Sequence, residues 1–178
     1  GLKGETAQEE ADSDYRPDVA MADGDLLEGK GWTLEAVYTP GHTSNHTCFH
    51  LVEENALFSG DHVMGWSTTI VSPPDGDMYK YMQSLGKLTE RSDRIYWPTH
   101  GPAIERPQAY VRELIKHREE REEQIMACLG QGVGGIPEMV ASMYVEVPEH
   151  LHSAAARSVL SHLIHMVETG RVACQGVP

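Results

Sequence analysis

Three short segments constrain this chain more than any other feature: Thr39-Pro40-Gly41-His42-Thr43, Gly60-Asp61-His62 and Thr99-His100-Gly101. Each follows a strand-like run, and each sets a His or Asp beside a glycine. The carboxyl ends of strands are where an α/β sheet presents functional groups, so the fold has to bring three strand ends together. His and Asp are ligand types that zinc and other borderline or hard divalent ions accept. The glycines permit close backbone approach or dihedrals closed to other residues, and Pro40 and Pro98 stiffen two of the entries.

Taken singly, each residue has an ordinary explanation as a turn or cap residue. Their shared placement makes His42, Asp61 and His100 the candidate metal ligands. A rival set, His42, His46 and His50, has the i, i+4, i+8 spacing of one helical face. Pro40-Gly41 and the β-forming Thr47-Cys48-Phe49-His50 argue against a helix there. On a strand, i to i+4 spans about 13 Å, too far for one ion. His46 is expected to steady the ligand loop by hydrogen bonding. His62 directly follows Asp61, and adjacent side chains diverge, so it is not counted as a ligand.

Along the chain, Gly1 to Asp14 are polar and acidic, and residues 1–20 read as a mobile acidic segment. Asp23-Gly24-Asp25 and Gly29-Lys30-Gly31 are turn signals flanking Leu26-Leu27. Strands are expected over Trp32 to Tyr38, Thr47 to Val52 and Ala56 to Ser59, the last two forming an antiparallel hairpin around Glu53-Glu54-Asn55. Asp77 caps a helix running to Glu90, with Met78, Tyr81, Met82, Leu85 and Leu88 at helical spacing. Ile95-Tyr96-Trp97 forms a further strand. Strands, helix and strand in that order fit an α/β (α+β) sheet with helices packed against it, over residues 21–106.

From Pro107 the texture changes. A long helix carries an apolar stripe at Val111, Leu114 and Ile115 and another at Ile125, Met126 and Leu129. Between them lies Arg118-Glu119-Glu120-Arg121-Glu122-Glu123, read as a solvated charged face. Gly130 to Gly135 break the helix. A short helix follows from Pro137 to Tyr144, then a longer one capped by Ser153 and stopped by Gly170. Arg171 to Ala173 look like a strand. Helix, helix, helix, strand over residues 107–178 is compatible with a small winged-helix-like module.

With 178 residues, 40% of them apolar, the chain can bury one medium core or two small ones. The charge of −13 argues against sequence-independent nucleic-acid binding and gives no sign of an anionic membrane surface as partner. Cys48, Cys128 and Cys174 are odd in number and far apart, which fits a reducing, cytoplasmic setting. No apolar run approaches the roughly 20 residues of a membrane span. The chain starts at Gly1 and its first Met is Met21, so its native N-terminus is expected to be absent.

Together the motifs resemble the later metal motifs of the metallo-β-lactamase superfamily, most closely the subgroup of glyoxalase II and the β-lactamase-like endoribonucleases. Asp23-Gly24-Asp25, the strand Leu34 to Tyr38, and His117-Arg118 and Arg121-Glu122 in the long helix belong to the same resemblance, which covers nearly everything from Tyr15 onward. It implies the C-terminal half of an αββα sandwich followed by a winged-helix-like domain. It implies two divalent ions, zinc first and iron or manganese as alternatives. His42 would then be a ligand of the first ion, Asp61 a bridge between both, and His100 a ligand of the second. The family's H-x-H-x-D-H segment does not occur in these residues, so an upstream half is expected to carry it, and this chain alone is expected to be inactive.

The expected activity is hydrolysis of a small-molecule ester, thioester or related bond by metal-activated water, with Asp61 acting through that water and Trp66 contacting substrate. Two alternatives stay open: a ribonuclease or phosphodiesterase of the same fold, or a non-catalytic winged-helix module on an inactive scaffold. Against nucleic-acid reading, Ser153 to Thr169 holds one Arg and no Lys. A packing role or a homodimer contact suits that helix better.

Overall fold

A computed structural model of the chain describes residues 16–174. The expected acidic segment falls outside the described residues up to Tyr15, and residues 16–20 form no regular element. The strands are β1 (Leu26–Gly29), β2 (Trp32–Tyr38), β3 (Thr47–Leu51), β4 (Ala56–Gly60) and β5 (Ile95–Pro98). The helices are α1 (Met78–Thr89), α2 (Pro107–Gly130), α3 (Ile136–Met143) and α4 (His152–Glu168), with a 3-10 turn at Glu149–Leu151. The strands form one sheet in sequence order, antiparallel except for the parallel pair β4 and β5. A parallel pair needs a long crossover, and loop 61–77 with α1 supplies it.

Pairing register decides which residues share a face. Val37 faces Cys48, His50 faces Leu57, and Leu57 faces Tyr96. This side meets Tyr81, Leu85 and Leu88 of α1 and Val111 and Leu114 of α2 in the first core. Each large side chain fully buried there contributes about 1.5–3 kcal/mol. The opposite face carries Ala36, Phe49, Phe58 and Trp97 in register. Phe58 and Trp97 remain 44% and 48% exposed, so among the described residues the sheet has helices on one side only.

α1 starts where the sequence indicates. Asp77 is in extended conformation and its side chain accepts from the Lys80 amide at 3.0 Å, leaving Met78, Tyr81, Leu85 and Leu88 buried along one face. α2 reaches beyond the first core into a second, where Ile125 and Cys128 pack with Met139, Val159 and Met166 from α3 and α4.

Four details differ from the sequence reading. β1 is a strand; its residues are all exposed, so no apolar alternation marks it. Ser153 does not cap α4. The 3-10 turn feeds directly into the helix through Leu151, which is already α-like, and no side chain caps it. Residues 171–173 are not a strand, because the Arg171 and Val172 amides donate back to the Met166 carbonyl at 2.8 and 3.2 Å, wrapping the end of α4. Finally, the charge run of α2 is not wholly solvated: Arg118 and Glu122 are buried.

Candidate metal centre

His42, Asp61 and His100 converge. The Nε2 atom of His42 lies 3.8 Å from one carboxylate oxygen of Asp61, and the Nε2 atom of His100 lies 3.5 Å from the other. They come from three loops, after β2, β4 and β5. The β4–β5 pair and the β2–β3–β4 hairpins bring those strand ends to one edge of the sheet.

Backbone approach fixes the loops. Gly41 has φ +139, and a Cβ there would lie 2.3 Å from Cα of Tyr81 on α1. Gly101 has φ +95, and its Cβ would lie 2.8 Å from the Gly65 backbone. That second contact seats His100, whose carbonyl accepts from the Gly65 amide at 2.8 Å. Trp66 follows Gly65 in this loop and is 73% exposed.

A hydrogen bond sets the orientation of His42. Its Nδ1 lies 2.6 Å from the Ile70 carbonyl oxygen. A carbonyl only accepts, so Nδ1 carries a hydrogen, and the bond turns the Nε2 edge of the ring towards Asp61. The Asp61 backbone carbonyl accepts from the Thr69 hydroxyl at 2.6 Å. His46 makes the hydrogen bond expected of it, with Nδ1 2.9 Å from the Thr39 hydroxyl at the start of the loop that carries His42. Burial first, and then the charge of His42, pushes His46 down to about 4. His62 is fully buried between the rings of His46 and Tyr81, and burial holds it well below the usual histidine range. Its ring points into the core beside the site. Cys48 is buried nearby, with its thiol pushed up to about 12 by desolvation, so it is an inert core residue.

The donors fit a divalent cation. Oδ1 of Asp61 is buried without a hydrogen-bond partner, which is costly for a carboxylate oxygen. Two imidazole Nε2 atoms at the two oxygens of one carboxylate are donor types that a divalent cation accepts. Among the described residues no three His, Cys, Asp or Glu side chains are grouped to hold an ion by themselves. The two rings instead address opposite oxygens of a single carboxylate.

Residues 2–100 match the family model described as "Metallo-beta-lactamase superfamily". The chain belongs to the metallo-beta-lactamase superfamily. A second match, "Beta-lactamase associated winged helix domain", covers residues 136–176. The superfamily relatives include the lactamase-like protein adaB of Aspergillus niger, 34% identical over 173 residues, covering 89% of this chain and 53% of that protein. An Aspergillus fumigatus protein named atrochrysone carboxyl ACP thioesterase is 42% identical over 118 residues, covering 65% of this chain and 36% of that protein. Among solved structures, a beta-lactamase domain protein from Burkholderia ambifaria superposes with a TM-score of 0.77 at 23% identity, covering 90% of this chain and 50% of that one. A metallo-beta-lactamase family protein from Thermus thermophilus gives 0.75 at 25% identity, with 90% and 52% covered. The chain spans about half the length of the curated relatives it matches.

The sequence reading of this superfamily chain missed four groups that hold the candidate ligands or the loop behind them: the Thr69 hydroxyl, the Ile70 carbonyl, Tyr110, whose hydroxyl donates to the Met64 carbonyl, and Arg118, which donates to the Thr69 carbonyl. The Ile70 carbonyl has no sequence signature. Arg118 had one, because it continues the spacing of Val111 and Leu114.

Proposed function

We propose that the protein to which this chain contributes is a divalent-metal-dependent hydrolase acting on a small-molecule thioester. The observation that carries the reading is the approach of His42 Nε2 and His100 Nε2 to the two oxygens of Asp61, one of them buried and unpartnered. In this reading His42, Asp61 and His100 would hold two ions, with Asp61 shared between them, and an upstream H-x-H-x-D-H segment would complete the ligand set. Two bound divalent ions, zinc first with iron or manganese as alternatives, would lower the pKa of water towards neutrality and polarise the scissile carbonyl.

The chain's own residues preorganise that site. Ile70 holds the His42 tautomer, Gly65 seats His100, and Thr69 fixes the Asp61 backbone. The named thioesterase relative supports a thioester over the ester and phosphodiester alternatives. Trp66, exposed next to the His100 loop, is the candidate substrate contact.

The sequence composition of α4 and its outward stripe of Leu160, Ile164 and Val167 support a packing surface, a homodimer included, over nucleic-acid reading. No helix of the described residues is long and apolar enough to cross a membrane. The unpaired Cys48 and Cys128, both buried, support a reducing, cytoplasmic setting.

The test is Asp61→Ala in the full-length protein. The expected result is fewer than two bound ions per chain and a fall in thioester hydrolysis beyond the roughly 100-fold that outer-shell partners cost. Unchanged metal content and rate would overturn the reading. A wild-type protein that cleaves a phosphodiester and no thioester would move it to the nuclease alternative.

A further inference from the structure

Helix α2 does more than connect two cores. It grips the segment that backs the candidate ligands at two points, about two turns apart. Near its start, the Tyr110 hydroxyl donates to the Met64 carbonyl at 2.8 Å, and the next residue, Gly65, donates to His100. In its charged middle, Arg118 donates from a terminal guanidinium nitrogen to the Thr69 carbonyl at 2.5 Å. Thr69 holds Asp61 through its hydroxyl, and the following carbonyl, Ile70, orients His42.

Arg118 is therefore one residue removed from two of the three candidate ligands. It is only 4% exposed, and its guanidinium lies over the Tyr81 ring at 5.2 Å. The Tyr81 hydroxyl in turn donates to the His62 carbonyl at 3.2 Å. Burying a guanidinium is costly, and the Nε atom of Arg118 has no partner. Packing alone would be served better by Leu or Met at this position. What Arg118 supplies is a fixed, charged donor at the Thr69 carbonyl. Charge-assisted bonds of this kind are the strong ones, and this one closes the loop onto the helix that also builds the C-terminal core.

Resting on the metal reading above, we propose that Arg118 is a positioning residue that sets His42 and Asp61 for metal binding through the Thr69–Ile70 segment. The C-terminal module is thereby built into the site, because the same helix carries Ile125 and Cys128 into the second core.

The experiment is competitive Zn2+ titration of the full-length protein, well below its melting temperature, for the wild type, Arg118→Met, Arg118→Lys and Lys116→Met. The expected result is a 10- to 100-fold weaker Zn2+ affinity for Arg118→Met, recovery of most of that loss in Arg118→Lys, and no change for the exposed Lys116→Met. In the metal-free protein, 15N NMR of His42 should show the Nδ1-protonated tautomer losing population in Arg118→Met alone. A merely structural role would lower the melting temperature and leave both readouts unmoved. Wild-type Zn2+ affinity in Arg118→Met overturns the proposal. Should that variant not fold, Thr69→Val takes its place, with roughly 10-fold weaker Zn2+ binding expected and an unchanged affinity again overturning it. His42→Ala separates the two failures. If it loses Zn2+ while Arg118→Met keeps it, only the proposal fails. If the wild type itself binds no Zn2+, the metal reading fails and the proposal with it.

Discussion

Gly41 shows at the residue scale how little freedom the site has. Its φ of +139 suits only glycine, and a Cβ there would run into the backbone of Tyr81, which cannot swing aside as a flexible side chain would. Gly41→Ala should therefore destabilise the fold by at least about 1–3 kcal/mol, lowering the melting temperature by about 2–4 °C per kcal/mol. Gly86 is the contrast. It lies within α1, and a Cβ there would meet nothing within 4 Å. Gly86→Ala should raise stability by about 0.4–1 kcal/mol. Calorimetry on both variants checks the pair, and equal shifts would refute the argument. The three ligand candidates were legible because each strand-end motif is local, a side chain beside a glycine. The groups that orient them were not, because the Ile70 carbonyl and the Gly65 amide are backbone atoms whose role depends on a loop closing over from elsewhere in the chain.

At the scale of elements, the informative case is α2. Its buried positions run Pro107, Val111, Leu114, Arg118, Glu122, Ile125 and Cys128, a continuous helical stripe with two charges in the middle. Spacing placed Arg118 and Glu122 on the inward face; residue type suggested the outward one, and spacing won. α1 could be read completely because cap and stripe agreed, whereas β1 and residues 171–173 depended on partners that local sequence does not name. Glu122 turns inward, 2% exposed, because α4 brings it partners: His165 Nδ1 at 2.6 Å, His162 Nδ1 at 3.3 Å, and Arg171. Burial pushes its carboxyl up, but the bonds from His162 and His165 overcome this and hold it at about 2. Removing one member of such a buried set costs about 3–5 kcal/mol, and the half-exposed Arg171 places Glu122→Ala at the lower end, a melting shift of about 6–12 °C. A depressed carboxylate stabilises fully above its unfolded value of 4.5 and loses that stability as pH falls towards 2. His162 is buried and held below 6.5, chiefly by desolvation, so it favours the fold above 6.5 and opposes it as pH falls below that value. Acid unfolding should thus begin below pH 6.5 and steepen below 4.5. In Glu122→Ala the steep lower phase should flatten, and a profile parallel to the wild type would remove Glu122 as its source.

At the scale of the molecule, the described residues cover only one face of the sheet with helices. Stable architectures bury both apolar faces of a sheet. The open face is not a scatter of single residues. Phe49, Phe58 and Trp97 are cross-strand neighbours in register, and they border a cavity of about 360 Å³ with Thr47 and Pro98. Contiguous apolar patches of this kind mark surfaces that another element covers. The relatives are about twice as long as the stretch that aligns, so chain beyond these 178 residues is the occupant expected of that face. Tryptophan quenching measures this directly. Trp32 and Trp66 are also exposed, so the signal of Trp97 has to be isolated as the difference between the wild type and Trp97→Phe. In the 178-residue chain that difference should be quenched freely by iodide and emit at long wavelength. In the full-length protein it should shift to shorter wavelength and be quenched several-fold less, because a covering layer withdraws the indole from water. Equal quenching in the two would mean that the aromatic face stays open to water in the longer protein, and the expected covering layer would be refuted.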